Sequence, residues 1–584
     1  MTKLFPLAIS LLALAAPAFA AGADDALDAF FRQYLDARFQ LQPLDATRLG
    51  DHRFDARLDD VSREARKRWV ELTRQTLKAL PRQIDRTQLT PDGQIDYEIL
   101  RHELVKSLWL AENTRPFEED PRVYGDYLSD SVFLLLTQST QPKETNISNA
   151  LARMARMPEI VVAARASLHN PPRPILETAI QQNRGAIGFY ESSIMEFIGD
   201  SPQREAVKAS AAKVAGLLKD YQTFLESDLL PRATGDWRLG KSRFNKKLEL
   251  ELDAGLSAGD VLADAEREYA RVQADMYVIA RQLWSRYYPK APLPPDDAEG
   301  RRAAIRQVLQ AVAQEHGNGQ DLVRDARETV GRIKTFLRES DFLRLPDPDR
   351  CQIIEMPEFK RGNSVAYLEN APPLDPSAPS VYAVSPPGAD WSPERVKSLL
   401  EEYNRHMLQI LTIHEAYPGH YVQLEYSNRA HSLIRKVLQS GAFIEGWAVY
   451  TEKTMLDQGY GGGDLALRLT QLKFYLRAVC NAILDHHMHC DGMTDDEAMK
   501  LLTEGAFQSK EEARLKIIRA KQSSVQLSTY FVGRMGHCRT REQIQRELGD
   551  QFELGRYHEA VLDHGSVPLK FLPGLVRERL KQPR

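Results

Sequence analysis

TIHEAYPGHYVQLEYSNRAHSLIRKVLQSGAFIEGWAVYTE, running from Thr412 to Glu452, packs His414, Glu415, His420, Glu445 and Glu452 into apolar, helix-patterned surroundings. Two imidazoles and several carboxylates are the donor types that zinc takes in a four-coordinate shell. A hydrolase needs three of them from the protein, with the fourth position left for water. Spacing sets the first test. In an HExxH helix the two histidines are four residues apart and share a face, whereas His414 and His420 are six apart. On an unbroken helix of ~3.6 residues per turn that is an offset of about 240°, which aims them at separate faces. The dipeptide between them resolves the conflict. Pro418 cannot donate to the carbonyl of His414 and its ring clashes there, while Gly419 accepts unusual backbone angles. A bulge at Pro418-Gly419 swings His420 back beside His414. Glu415 then keeps the position of a general base beside the metal.

A second helix is expected over about Ala442 to Asp457, carrying Glu445 and Glu452. Seven residues apart, they lie on one face. Taken alone, the pair reads as two carboxylates of a buried helix that meet arginine side chains. Beside HEAYPGH, a metal-site role is favoured.

HEAYPGHYVQ followed by EGWAVYTE resembles the bacterial domain-of-unknown-function family 885 (DUF885), whose members look like relatives of the gluzincin zinc peptidases. The likeness continues through ILDHHMH, QLSTYFVG and FELGRYHEAVLDHGSVPL, and upstream through AYLENAPPLDPSAPSVYAV, so it covers most of the mature chain. It implies a mainly α, multi-helix architecture like that of gluzincins and thimet oligopeptidase, with a small β ribbon near the active-site cleft, and one zinc ion. Gluzincins take a third ligand from a Glu on a second helix, often followed by Gly and an aromatic residue. Glu445-Gly446-Trp447 matches that element, leaving Glu452 as the carboxylate that orients a ligand histidine. Tyr530 resembles the family tyrosine near the cleft, where it could polarise the scissile carbonyl; a packed aromatic is the other reading. One position departs from the pattern: Asn481 stands four residues before Asp485, where many members carry Arg.

Asp485, His486, His487 and His489 cluster at the end of a helix through LRAVCNAILDHHMH. Adjacent residues diverge on a helix, so Asp485 and His489, four apart, are the pair that can converge. Asp485 is taken as a supporting carboxylate. His489 reads either as a cleft residue donating to a developing oxyanion or as a structural histidine. GYGGGD at 459 to 464 lacks the GK[ST] ending of a phosphate loop and reads as a helix-breaking turn.

Elsewhere, residues 1–20 have the basic start, apolar run and small-residue end (Ala18-Phe19-Ala20) of a secretory signal peptide. The apolar run is short and rich in Ala, and no other stretch nears ~18 uninterrupted apolar residues, so no stable membrane insertion is expected after cleavage. The expected address is secreted, and periplasmic in a Gram-negative source. A hydrophobic content of 43%, with 27% charged residues, describes a large globular chain. A net charge of -4 gives no polyanion footprint, which argues against nucleic acid as a partner. Cys351, Cys480, Cys490 and Cys538 could form one or two bridges in an exported protein; the pairs His489-Cys490 and His537-Cys538 fit no zinc spacing signature.

Residues 21–345 show apolar positions three and four apart in segment after segment, a helical region. Start signals include Thr90-Pro91-Asp92, and Ser257 with Asp260. Within this region RFNKKLELEL, Arg243 to Leu252, alternates like a strand. Residues 346–390 are rich in Pro and short β-prone runs, and form a β-containing segment. Tyr367-Leu368 or Val381 to Ala383 could provide an edge strand that holds an extended substrate, or could simply buttress the helices. Residues 391–584 form the helical metal-binding region, opening with one helix over 392 to 415. Residues 346–584 and much of 21–345 are expected to make one unit.

The function expected is hydrolysis of a peptide or other small amide. Zinc on His414, His420 and Glu445 would activate water, Glu415 would act as base, and His489 and Tyr530 would be oxyanion donors. Its rivals are a noncatalytic binding protein that keeps the helix for structure, and a metal-dependent hydrolase of a non-peptide amide or ester.

Overall fold

The computed structural model describes residues 16–356, 366–388 and 391–582, with the backbone alone for 16–21. The expected signal peptide falls on residues 1–15, outside the described residues, and on the first five positions of the Ala16–Leu41 helix. The architecture is mainly α with one three-stranded sheet. Among the described residues, no helix is long and apolar enough to cross a membrane.

Two apolar cores organise the helices. The smaller draws on segments between Leu58 and Leu229, including Tyr124, Met157, Phe189 and Leu218. The larger includes Phe31, Leu100, Phe244, Met276 and Ile333 together with Ile413, Trp447, Leu476 and Val561. Residue 345 is therefore no boundary of this core, because helices from both sides of it bury their apolar faces together. The helix starts follow the capping chemistry of the sequence. Thr90 accepts from Gly93 N ahead of Pro91–Asn113, and Ser257 with Asp260 closes a reciprocal capping box ahead of Ala258–Tyr287.

Two local expectations are corrected. The alternating run Arg243 to Leu252 lies in a helix, Lys241–Leu252. Phe244, Leu248 and Leu252 recur every four residues and are buried, while Lys246 pairs with Glu249 at 2.9 Å and Lys247 with Glu251 at 3.4 Å on the outer side. The period-2 reading counted Leu250 and missed the i, i+4 set. The single helix expected over 392 to 415 is two, Pro393–Glu402 and Arg405–Glu415. Tyr403 closes the first and Asn404 caps the second, its side chain accepting from the backbone N–H groups of His406 and Met407.

The sheet has the order β1 (Cys351–Glu355), β3 (Ser380–Val384), β2 (Ala366–Glu369), with β1 parallel and β2 antiparallel to β3. Val381 to Ala383 thus lies in the central strand and cannot serve as an edge. Tyr367-Leu368 lies in an edge strand. All four cysteines are free thiols, so no disulfide contributes.

Candidate metal centre

The site begins where the Arg405–Glu415 helix stops. Met407, Leu408, Ile410, Leu411 and Ile413 bury this helix, and the Tyr382 hydroxyl on β3 lies 3.2 Å from Thr412 Oγ1. The helix ends at Glu415 and a new one, His420–Arg429, starts after four intervening residues; the Tyr417–Pro418 peptide between them is cis. Gly419 packs onto the end of the first helix so closely that a Cβ there would collide with the carbonyl oxygens of Ile413 and His414. No other residue fits without moving that backbone.

Three contacts hold the bulge. The Trp447 indole N–H donates to the Pro418 carbonyl at 2.8 Å. The Tyr417 and Tyr421 hydroxyls donate to Asp349 Oδ1 at 2.6 and 2.9 Å. Lys334 pairs with the same carboxylate, and these donors together hold Asp349 below the ordinary carboxylate range despite partial burial.

With the turn fixed, the His414 and His420 rings meet edge to face, their centroids 4.7 Å apart. Glu445 reaches them from the Gly441–Asp457 helix, which Ser440 caps through Phe443 N. Its Oε2 lies 3.8 Å from His414 Nε2 and 3.5 Å from His420 Nε2. Neighbouring donors around a tetrahedral ion with bonds of ~2.0–2.1 Å are roughly 3.3–3.4 Å apart, so a small inward adjustment would suffice. One donor atom from each of the three residues lies within 4.8 Å of the others, and among the described residues this is the one such group. Glu445 Oε2 is buried with no hydrogen-bond partner, as an atom awaiting a cation would be. The Glu445 side chain is 22% exposed, which leaves one side of the cluster open to solvent.

The surrounding groups tune these donors. Glu452 is fully buried, and its Oε1 lies 2.8 Å from His414 Nδ1, which leaves Nε2 to face the cluster. Burial pushes Glu452 well above its ordinary range. Burial, with the charge of His420, lowers His414 to about 3, so its imidazole is neutral, as a metal ligand must be. His420 is raised, because Glu445 and Glu415 outweigh its burial. Glu445 is lowered: His420, His414 and the Tyr530 hydroxyl outweigh its burial. Burial raises Glu415 to about 7, with Glu445 adding to the rise, against His420 and a backbone N–H from Leu368. The β2 edge therefore touches the carboxyl expected to act as base.

Tyr530 stands beside Glu445 and keeps its proton, since burial and the Glu445 charge both push the phenol up. Its oxygen accepts from Arg519 Nη2 at 3.1 Å. The Thr529–Leu548 helix carries it, and the turn before that helix is tied to Asp485, whose two oxygens accept from Val525 N at 3.1 Å and Ser528 Oγ at 2.8 Å. Asp485 touches neither ligand histidine. As a supporting carboxylate it acts at a distance, by positioning the turn that presents Tyr530.

Of the two readings of His489, oxyanion donor and structural histidine, the packing supports the second. It is 2% exposed, its Nε2 lies 3.0 Å from both the Ala520 and Ser523 carbonyls, and its ring stacks on Phe244. With Nδ1 also facing Leu239 N at 3.4 Å, neither nitrogen is free to meet a substrate. Burial lowers it to about 4.

The sequence reading missed several neighbours. Asp349 sits in a Pro-rich loop with no motif around it. Phe474, 5.7 Å from the His414 ring, and Arg477, Lys516 and Arg519 near the cluster look like ordinary helix residues in the sequence.

Solved structures share this fold. A candidate lipoprotein of unknown function from Shewanella oneidensis is 30% identical, with a TM-score of 0.79, covering 95% of this chain and 99% of its own. A candidate lipoprotein from Colwellia psychrerythraea is 16% identical, with a TM-score of 0.77, over 96% and 99%. Among curated proteins none matches. Residues 43–576 match the family described as bacterial protein of unknown function, and this chain is a member of that family, DUF885.

Proposed function

We propose that this protein is an exported, zinc-dependent hydrolase of peptide bonds, related to the gluzincins. The observation that carries the reading is the convergence of His414, His420 and Glu445 with a carboxyl, Glu415, and a protonated phenol, Tyr530, on the borders of the same cluster. His414, His420 and Glu445 would hold the ion, with Glu452 fixing the His414 tautomer. When bound, zinc supplies Lewis acidity and eases deprotonation of water.

The chain's own groups do the rest. Glu415 Oε takes the proton of the attacking water and delivers it to the leaving amine nitrogen. A carboxyl raised to about 7 can do both near neutral pH. The Tyr530 hydroxyl donates to the carbonyl oxygen as that atom gains charge. The β2 edge beside Glu415 holds an extended substrate through main-chain hydrogen bonds. Export rests on the leader-like residues 1–20 and gains support from the lipoprotein descriptions of the two structural neighbours.

The test is metal analysis of the purified protein together with digestion of a peptide library by wild type and Glu415→Gln. The variant should keep its zinc and lose at least about a hundredfold in turnover. Stoichiometric zinc with no peptide cleaved by the wild type would sink the peptidase reading and favour a binding protein or another amide or ester as substrate.

A further inference from the structure

Two basic residues beside the metal centre, Lys516 and Arg519, form no ion pair among the described residues. Lys516 and Arg519 lie three residues apart, hence on one face, of the Lys510–Gln522 helix. Lys516 is only 6% exposed, yet among the described residues its ammonium makes neither a hydrogen bond nor an ion pair. Arg519 donates to Gln526 Oε1 at 2.8 Å and to the Tyr530 oxygen at 3.1 Å, and has no carboxylate partner among the described residues. Glu512 and Glu445 lie within electrostatic reach of Lys516, but neither forms an ion pair with it, and each has nearer cationic or metal-site partners. Arg477 is matched by Glu512 at 2.9 Å and Lys473 by Glu402 at 2.9 Å, and those two carboxylates crowd each other. Burial works against the charged form of the Lys516 amine, and an anion from outside, seated between it and Arg519, would favour that form.

Position identifies the anion. Arg519 touches the Tyr530 hydroxyl, Tyr530 stands beside Glu445, and Lys516 lies within electrostatic reach of both Arg519 and Glu445. A peptide whose scissile carbonyl meets Tyr530 would run on from there at ~3.4 Å per residue. We propose that Lys516 and Arg519 form a carboxylate-binding subsite for the free C-terminus of a short peptide, placing the scissile bond about one or two residues from that end. The guanidinium supplies planar paired donors, and the lysine an amine that the bound carboxylate would favour in its protonated form. The proposal rests on the hydrolase reading and narrows it to action at C-terminal ends.

The test uses the full-length zinc-loaded protein and one tetrapeptide as free acid and as C-terminal amide. Hydrolysis is measured with wild type, Lys516→Met and Arg519→Gln. Binding of both peptides is measured by calorimetry on the Glu415→Gln protein, with and without Lys516→Met. One charge-assisted contact corresponds to about ten- to a hundredfold in affinity. The acid should be bound and cleaved by that factor better than the amide, the loss on amidation should appear in KM, and either variant should reduce the preference. Lys516→Met should at the same time melt no lower than wild type, since it removes a buried amine that makes no hydrogen bond or ion pair among the described residues. Arg519→Gln, at an exposed position, keeps the test open if the Lys516 variant fails to fold. Equal handling of acid and amide, or a preference that survives both substitutions, overturns the subsite. Acid-selective binding with no cleavage of either peptide keeps the subsite and removes the hydrolase reading, whereas neither binding selectivity nor cleavage removes both.

Discussion

Gly446 and Gly533 face each other where the Gly441–Asp457 and Thr529–Leu548 helices cross, with no room for a methyl group on either. A Cβ on Gly446 would collide with the Gly533 backbone, and one on Gly533 with the Ala442 carbonyl oxygen. This contact sets Glu445, one residue before Gly446, beside Tyr530, three before Gly533. Gly446→Ala should therefore cost about 1–3 kcal/mol or more, the range for forcing extra atoms into a packed core. It should also weaken metal binding, because the two helices must part. Thermal melting and zinc titration of the variant check this; a wild-type midpoint with wild-type affinity would show that the crossing does not position the cluster.

Glu452 acts on the centre through His414. With its Oε1 at 2.8 Å from Nδ1 and no exposure of its own, it fixes which ring nitrogen faces the cluster. Glu452→Gln retains the shape and one acceptor but weakens the hold on the Nδ1 proton. Zinc affinity should fall about 10–100-fold, as for other residues that orient metal-bound histidines. Competition against a chelator of known affinity measures it. A larger loss, equal to that of Glu445→Gln, would instead make Glu452 a ligand.

The bulge that brings the histidines together depends on Trp447. Trp447→Phe leaves the Pro418 carbonyl without its donor in a buried setting, at a cost of about 1–3 kcal/mol. Gly419→Ala is harsher, since the new methyl would strike the His414 carbonyl. The expected order of zinc affinity is wild type, then Trp447→Phe, with Gly419→Ala far below. If Gly419→Ala binds zinc like wild type, His414 and His420 do not need this turn to converge.

What the sequence makes legible here is local. A Pro-Gly step inside an otherwise helical run, flanked by His414 and His420, carries its own geometric consequence, and the seven-residue spacing of Glu445 and Glu452 puts both on one face. The roles of Gly446 and Trp447 are not local: one answers to Gly533 and the other to Pro418, pairings that only the packed structure supplies. His489 misleads for a related reason. Histidine next to histidine resembles a ligand cluster, but the Ala520 and Ser523 carbonyls that occupy it come from a helix end some thirty residues away. Lys516 and Arg519 at an i, i+3 spacing are what any solvated helix face shows, so the absence of an ion pair for either among the described residues is visible only once the neighbours are placed.

The buried histidines outside the centre set how the fold meets acid. Burial lowers His489 to about 4, His537 to about 4 and His558 to about 3, in each case against hydrogen bonds to backbone carbonyls that pull the other way. In the unfolded chain each titrates near ~6.5. The unfolded state therefore takes up protons first, so the stability these groups contribute is complete above about 6.5 and is lost as pH falls towards 4 and 3. Each histidine removes about 1.4 kcal/mol per pH unit over its window. Asp59 and Asp485, both raised to about 7 mainly by burial, have the opposite sign: their folded forms hold a proton that the unfolded chain gives up near ~3.9, so each returns about 1.4 kcal/mol per unit as acid is added from 7 to 4. Three contributions against two leave a shallow net loss towards acid from these five groups. Asp485→Asn cancels one opposing contribution and should steepen the acid limb by about 1.4 kcal/mol per pH unit. His558→Gln should flatten it by the same amount. Denaturant unfolding at half-unit steps between pH 6.5 and 4.5 reads these slopes independently of how far either variant shifts overall stability. A limb unchanged by both substitutions would mean that neither group keeps its folded-state protonation through this range.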